Sequence, residues 1–360
     1  MPRVWCSISG HGFGHGAQTI PILNELGKRL HDLHILLRTK LPPHLFEDQL
    51  HPSWEIHPSI QDLGCVQDGP LIIDVEKTWS EHERFHQDWE RAVQAEAELI
   101  RSHQPDLVVS NISYFGIEAG ACSGIPTVGM GSLSWDQVLQ FFLTQLSDEQ
   151  KKTIHHIRRA YGNAQLMIRF APKVPMAAFH DLVDVGPIAG PPLPSSGVVR
   201  DLLSMDSHEK LVVVAFGGIS LSSWPIKALE KVRGYRFLIG EPLNIDGGSH
   251  ISSTTALPVP FRQILAEADL ILTKPGYATT IEAVRNATPI VFVRRYNFVD
   301  EQVLVDYAGR YGRSVELPIK QFDTGEWLEA LETVQRLPLP TESPPELGTS
   351  AAAEVLAKFL

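Results

Sequence analysis

"SISGHGFGHGAQTIPILNEL", residues 7–26, runs an apolar stretch into glycines and two histidines, and then into apolar residues at helical spacing. Ile20, Ile22, Leu23, Leu26 and Leu30 recur as one helix face should. The apolar "VWCSIS" before the glycines reads as a buried strand, so the stretch is a strand turning into a helix. Glycine lets backbone N–H groups approach a ligand closely. Histidine is a costly choice for a plain tight turn, and its presence implies that something comes close to this loop.

The same unit repeats outward. "HILLRT" is a strand, residues 77–103 read as one long helix with Trp79, Phe85, Trp89, Ala92 and Leu99 on one side, and "PDLVVSN" is a third strand. "GIEAGACSG" is a helix, "IPTVGM" a strand, residues 147–161 a helix, and "AQLMIRF" and "DLVDVG" short strands. "GPIAGPPLPSSG", residues 186–197, then breaks the alternation as a linker. Beyond it come "KLVVVAFGG", "YRFLIG", "DLILTKPG" and "TPIVFVRR" as strands, and "WPIKALEKV", "FRQILAEA", "TTIEAVRNA", "DEQVLVDYAGRYG" and "EWLEALETV" as helices. Alternating strands and helices predict parallel sheets covered on both faces. The expected architecture is α/β, with Rossmann-like domains over 1–185 and 198–345, the linker at 186–197, and a tail helix over 346–360 packing back toward the first domain.

Bulk properties bound the function. The chain has 360 residues, 43% hydrophobic and 20% charged, with a formal net charge of −11. An acidic balance disfavours a general nucleic-acid binder. No apolar run is long enough for a membrane span. "MPRVWCSISG" lacks the features of a secretory leader, so a cytoplasmic location is expected, with peripheral membrane contact compatible with a lipid-linked acceptor. Three widely spaced cysteines make no metal or disulfide pattern; Cys6 and Cys122 are expected to be buried thiols.

Ligands of open α/β sheets sit at the carboxyl ends of the strands. In "SGHGFGHG" the pattern G-x-G-x-G is not followed by an acid at the end of the second strand, where Arg38 and Lys40 stand, so a dinucleotide site is disfavoured. No Gly-Lys-Ser/Thr makes it a P-loop either. His15 and His11 suit general bases; the plainer alternative is loop histidines bonded to backbone. In the second half, "TKPGYATTIEA" puts Pro275, Gly276, Tyr277, Ala278, Thr279 and Thr280 at a helix N-terminus, which favours phosphate, with Glu282 one turn on. The alternative is an ordinary N-capping turn. Phe216, Gly217 and Gly218 of "AFGGIS" form a second candidate cradle, and Asp300, Glu301 and Gln302 of "YNFVDEQ" are acceptors for sugar hydroxyls or simply acids suited to a helix first turn. In "HERFHQDWE", His82 and His86 lie one turn apart; a solvated helix face is favoured over a metal pair.

Taken in order, the glycine-rich first loop, the proline-rich linker, "KPGYATTIEA" and "DEQ" resemble the two-domain GT-B glycosyltransferases. The second half is similar to the enzyme that adds N-acetylglucosamine to the lipid-linked peptidoglycan precursor, within the UDP-glycosyltransferase superfamily. "GFGHGAQ" resembles the loop of the nucleotide-sugar hydrolase of pseudaminic acid synthesis, with Gln18 where that family has arginine. "SGHGFGH" and "SLSWD" resemble the glycosyltransferase-like part of arabinokinase, without its kinase half.

The resemblance implies His15 as base, with His11 in reserve. Asp136 would bind an acceptor hydroxyl or orient His15. Asn111, Trp135 and Gln18 line the acceptor side, with Trp135 either stacking on a sugar or serving as core. Gly14, Phe216–Gly218, Gly276–Thr280 and Glu282 would hold the donor's diphosphate and ribose, and Asp300–Gln302 its sugar. The implied function is a metal-independent inverting glycosyltransferase using a nucleotide-sugar, a UDP-sugar first among them, with no cofactor and an unidentified small or lipid-linked acceptor. The alternatives are a nucleotide-sugar hydrolase or epimerase, or a non-catalytic nucleotide-sugar binder. A histidine base predicts an acid limb near pH 6.5, the group's ordinary value of about 6.5.

Overall fold

The structure is a computed structural model describing residues 1–191, 193–221, 223–240 and 250–360; Pro192 of the linker lies outside it. The first sheet has seven parallel strands: Arg3–Ile8, His34–Thr39, Ser53–Pro58, Leu107–Asn111, Thr127–Gly131, Leu166–Phe170 and Leu182–Val185. Numbered in chain order, they lie 3-2-1-4-5-6-7. The second has six: Lys210–Ala215, Tyr235–Ile239, Ile251–Ser253, Leu270–Thr273, Ile290–Phe292 and Ser314–Glu316, lying 3-2-1-4-5-6. Both are open α/β sheets whose order reverses beside their first strand, where such sheets bind ligands. The Leu107–Asn111 and Thr127–Gly131 strands are buried throughout, as expected of central strands in a sheet covered on both faces.

Two elements differ from the sequence reading. Residues 77–103 form two helices, Val75–Phe85 and Trp89–His103. The break at His86–Asp88 resets the helical phase, so the second helix buries Val93, Glu96, Ala97 and Ile100 while Ala92 is exposed. The edge strand Ser53–Pro58 also escaped the pattern. It has only partly buried Trp54 and Ile56 on one face and polar side chains on the other, so "PDLVVSN" is the sheet's fourth strand.

The tail helix Thr349–Ala357 packs on the Gly14–Arg29 helix, with Arg29 donating to Ser350 Oγ at 2.6 Å. One apolar cluster runs through both sheets, linking Ile8 and Leu23 to Tyr277, Ile281 and Leu356. The Tyr277 hydroxyl ties the halves further, donating to Ala171 O at 2.7 Å and accepting from Ile188 N at 3.0 Å. Cys6 and Cys65 are buried, whereas Cys122 is exposed near its helix end, against expectation.

Candidate functional site

The glycine-rich loop leaves its strand buried and bonded. Ser9 N donates to Asn111 O at 3.2 Å, and Ser9 Oγ donates to Asp62 Oδ1 at 2.8 Å. The chain then crosses to the other domain, where Phe13 N meets Gly217 O at 3.4 Å. A Cβ at Gly218, whose φ is +81°, would lie 2.7 Å from the Phe13 ring, so only glycine fits there. The helix starts at Gly14 with no side-chain cap and no acid in its first turn, leaving its first N–H groups open.

His15 sits in that first turn, half-buried. Its Nδ1 lies 2.9 Å from Asn111 Oδ1. The amide orientation of Asn111 is set by its other end, which donates to Gln18 Oε1 at 3.2 Å and Thr19 Oγ1 at 3.1 Å. Asn111 therefore presents oxygen to His15, Nδ1 carries the proton, and Nε2 keeps its lone pair. Burial lowers the His15 pKa to about 4, with the Asn111 bond opposing it, so the imidazole is neutral far below the ordinary value near 6.5. This moves the expected acid limb downward.

His11 is arranged the opposite way. Its Nδ1 accepts from Cys65 N at 3.2 Å, so the neutral ring carries its proton on Nε2 and can only donate from there. Its ring meets Trp135 edge-on at 5.2 Å and stacks with Phe298 of the second domain at 6.4 Å. Burial first, then the charges of His15, Lys274, Arg295 and Lys40, keep its pKa well below ordinary. Cations from both domains therefore surround this loop.

The residues expected on the acceptor side stand behind the histidines. Asn111 is fully buried and positions His15, and Gln18 is buried behind Asn111. Trp135 is fully buried, its Nε1 donating to Asp62 Oδ2 at 2.9 Å, so it offers no face to a sugar. Asp136 does not touch His15: its carboxylate accepts from Ser134 Oγ at 2.6 Å and Arg158 Nε at 2.9 Å. Asp62, which the sequence reading passed over, holds the Ser9 hydroxyl and the Trp135 indole together. Burial raises its pKa to about 6 against those two bonds and the charge of Lys40. Its only sequence signal was a lone acid in the loop before "LGC".

On the second domain, Gly217 and Gly218 both have positive φ, +73° and +81°, and turn the loop beside buried Phe216. Pro275 and the Tyr277 side chain are buried, while Gly276, Ala278 and Thr279 are half-buried at the start of the Tyr277–Arg285 helix. That helix too lacks a side-chain cap and a first-turn acid. Thr280 Oγ1 and Asp300 Oδ1 are buried without a hydrogen-bond partner. Such orphans are rare in folded proteins and mark places where a partner is missing. Lys274 Nζ bonds the Phe216 carbonyl at 3.2 Å; burial, then Arg295, lowers its pKa to about 7. Burial raises Asp300 to about 6, against the charge of Arg295.

Several expected donor ligands are engaged elsewhere. Glu301 is buried and saturated, accepting from Arg295 Nε at 2.7 Å and Tyr296 N at 2.9 Å, and so shapes the loop before it. Gln302 is exposed, bridging Arg294 at 3.0 Å and Asp306 at 2.7 Å. Glu282 accepts from Arg262 Nε at 3.1 Å, and Arg262 reaches the linker at Pro191 O, 2.7 Å away. Tyr277 is the domain tie described above. His82 and His86 do not form a solvated face: His82 is fully buried, facing Gly64 O at 2.9 Å and the Tyr114 hydroxyl at 3.2 Å, while His86 stacks on His156.

This architecture is the GT-B fold: two Rossmann-like domains, with the loops at their strand ends carrying the histidines on one side and the uncapped Tyr277–Arg285 helix on the other. Solved structures share it over the whole chain. UGT89C1 of Arabidopsis thaliana complexed with UDP has a TM-score of 0.64 at 15% identity, covering 100% of both chains. The glycotransferase of kitacinnamycin has 0.63 at 14%, again covering 100% of both. UGT71G1 of Medicago truncatula complexed with UDP-glucose has 0.61 at 13%, covering 99% of this chain and 93% of its own. No protein-family model matches the chain. Among curated proteins, the L-arabinokinase of Arabidopsis thaliana is 27% identical over 336 residues, 90% of this chain; the chain spans 31% of that relative's length.

Proposed function

We propose that this chain transfers a sugar from a nucleotide-sugar, a UDP-sugar first among them, to an acceptor hydroxyl with inversion at the anomeric carbon and without a metal. The observation that carries the reading is the Asn111–His15 pair, which fixes the His15 tautomer so that Nε2 holds a lone pair in the first helical turn after the glycine-rich loop. In the step, the acceptor oxygen attacks the anomeric carbon and gives its proton to His15 Nε2. The bond to the diphosphate breaks, and its electron pair leaves on the phosphate oxygen. Open N–H groups at the start of the Tyr277–Arg285 helix, with Lys274, would meet the developing charge. His11, able only to donate from Nε2, would bind an oxygen rather than take a proton. The structures complexed with UDP and UDP-glucose support the choice of donor class.

The test is turnover of a panel of nucleotide-sugars with and without candidate acceptors. His15→Ala is expected to lose about 10²- to 10⁴-fold in kcat with donor affinity little changed. A folded His15→Ala retaining full turnover overturns the assignment of the base. Rapid donor cleavage with no acceptor present assigns water as the nucleophile and makes the chain a hydrolase.

A further inference from the structure

We propose that Glu55, His57 and His103 form a binding site for one divalent transition ion of the zinc class, independent of the cleft residues. The register of the first sheet makes the site. Trp5, Leu36 and Glu55 stand level on neighbouring strands, with Ser7, Arg38 and His57 on the next level of the same face. The Trp89–His103 helix covers that face, and its last residue, His103, brings its ring to 5.3 Å from the Trp5 ring and 4.9 Å from the His57 ring. Glu55 and His57 are two apart on one strand, so both side chains point the same way.

The ligand atoms of the three side chains lie within 4.8 Å of one another, the one such trio among the described residues. Zinc binds imidazole nitrogen and carboxylate oxygen at about 2.0–2.2 Å, so small side-chain rotations close the set around an ion. The protonation pattern already suits a metal. His103 Nδ1 faces Leu99 O at 2.9 Å and must donate to it, which leaves Nε2 with its lone pair. A metal-bound histidine usually holds its second nitrogen in this way. His57 Nε2 is buried with no hydrogen-bond partner, although Glu55 Oε1 is 3.3 Å away. A buried imidazole nitrogen whose neighbour is a carboxylate of the same cluster, without a well-aligned hydrogen bond between them, leaves room for an ion to bridge the pair.

The neighbouring cation does not fill the place. Arg38 is held by both oxygens of Glu96, at 2.8 and 2.7 Å, and by the carbonyls of His57 and Pro58. His34 Nε2 lies 3.7 Å from the same Glu55 Oε1, its Nδ1 bonded to Ser53 Oγ, and steadies the carboxylate. Side-chain exposures of 47% for Glu55 and 30% for His57 leave the fourth position to water. Two imidazoles and one carboxylate select zinc-like ions over magnesium and calcium, which require an oxygen shell. A bound ion would pin the sheet's outermost strand to the helix above it.

The test is calorimetric titration of the untagged full chain with zinc chloride at neutral pH. One zinc per chain is expected, with His57→Ala and His103→Ala each losing about a hundredfold or more in affinity, and His86→Ala, near the other histidine group, unchanged. Each variant is first shown to melt as the wild type does in EDTA. Excess magnesium should not displace the zinc. Zinc should raise the melting temperature of the wild type and not of His57→Ala, while EDTA leaves glycosyl turnover intact, which separates this site from the proposed reaction. No saturable zinc binding, displacement by magnesium, or folded His57→Ala and His103→Ala variants binding as tightly as the wild type would overturn the proposal.

Discussion

Replacing Asn111 with aspartate tests the base directly, because it changes the charge 2.9 Å from His15 Nδ1 while keeping an oxygen there. The carboxylate favours the imidazolium, so the His15 pKa must rise. Two unit charges about 4 Å apart at an effective dielectric of about 20 interact by about 4 kcal/mol. At about 1.4 kcal/mol per pKa unit, that is about three units. Solvent reaching the half-buried ring trims it to about two. The pKa should therefore move from about 4 to about 6. A base works only when unprotonated, so the acid limb of kcat moves upward with it. At pH 5 the variant should retain about a tenth of its plateau turnover, while the wild type is near its plateau; at pH 8 the two should differ little. The new oxygen also replaces the amide group that donated to Gln18 and Thr19, at a stability cost of about 1–3 kcal/mol. Melting curves at pH 8 separate that cost from the catalytic effect. A folded Asn111→Asp enzyme whose acid limb stays with that of the wild type would show that His15 is not the titrating base.

Lys274→Met removes the cation between the two loops of the second domain and should weaken binding of a nucleoside diphosphate by about 1–3 kcal/mol, read by calorimetry; equal affinity would remove Lys274 from the donor site. Gly218→Ala must place a methyl 2.7 Å from the Phe13 ring at a φ of +81°, and should destabilise the protein by about 1–3 kcal/mol; an unchanged melting temperature would mean that the Phe13 contact is not held in solution. Fully buried His82 is held neutral with a pKa of about 4, so the unfolded chain takes up its proton first. Stability should be intact above about pH 6.5 and fall by as much as roughly 3 kcal/mol as the pH drops to about 4. His82→Gln should flatten the dependence of melting temperature on pH over that window; an equally steep curve would assign the acid lability to other groups.

Sequence alone determined the architecture, because parallel strands buried on both faces leave long apolar runs such as "KLVVVAFGG" and "PDLVVSN", and because glycine and proline punctuate the helices between them. It marked the loops worth reading for the same reason: strand ends are where open sheets leave backbone groups for ligands. It was silent on edge strands with one polar face, as at Ser53–Pro58, and on the phase break at His86–Asp88. What each candidate side chain does was decided only in three dimensions, since a side chain's chemistry depends on partners distant in the chain. His11 and His15 are equivalent in composition and spacing. They differ because one accepts a backbone N–H from Cys65 and the other donates to Asn111 from another strand. Asp136 and Glu301 read as candidate ligands for substrate hydroxyls, yet arginines 22 and 6 residues away occupy them. Asp62 and Lys274 gave little local signal, and burial, which no short pattern records, sets their pKa values near neutrality.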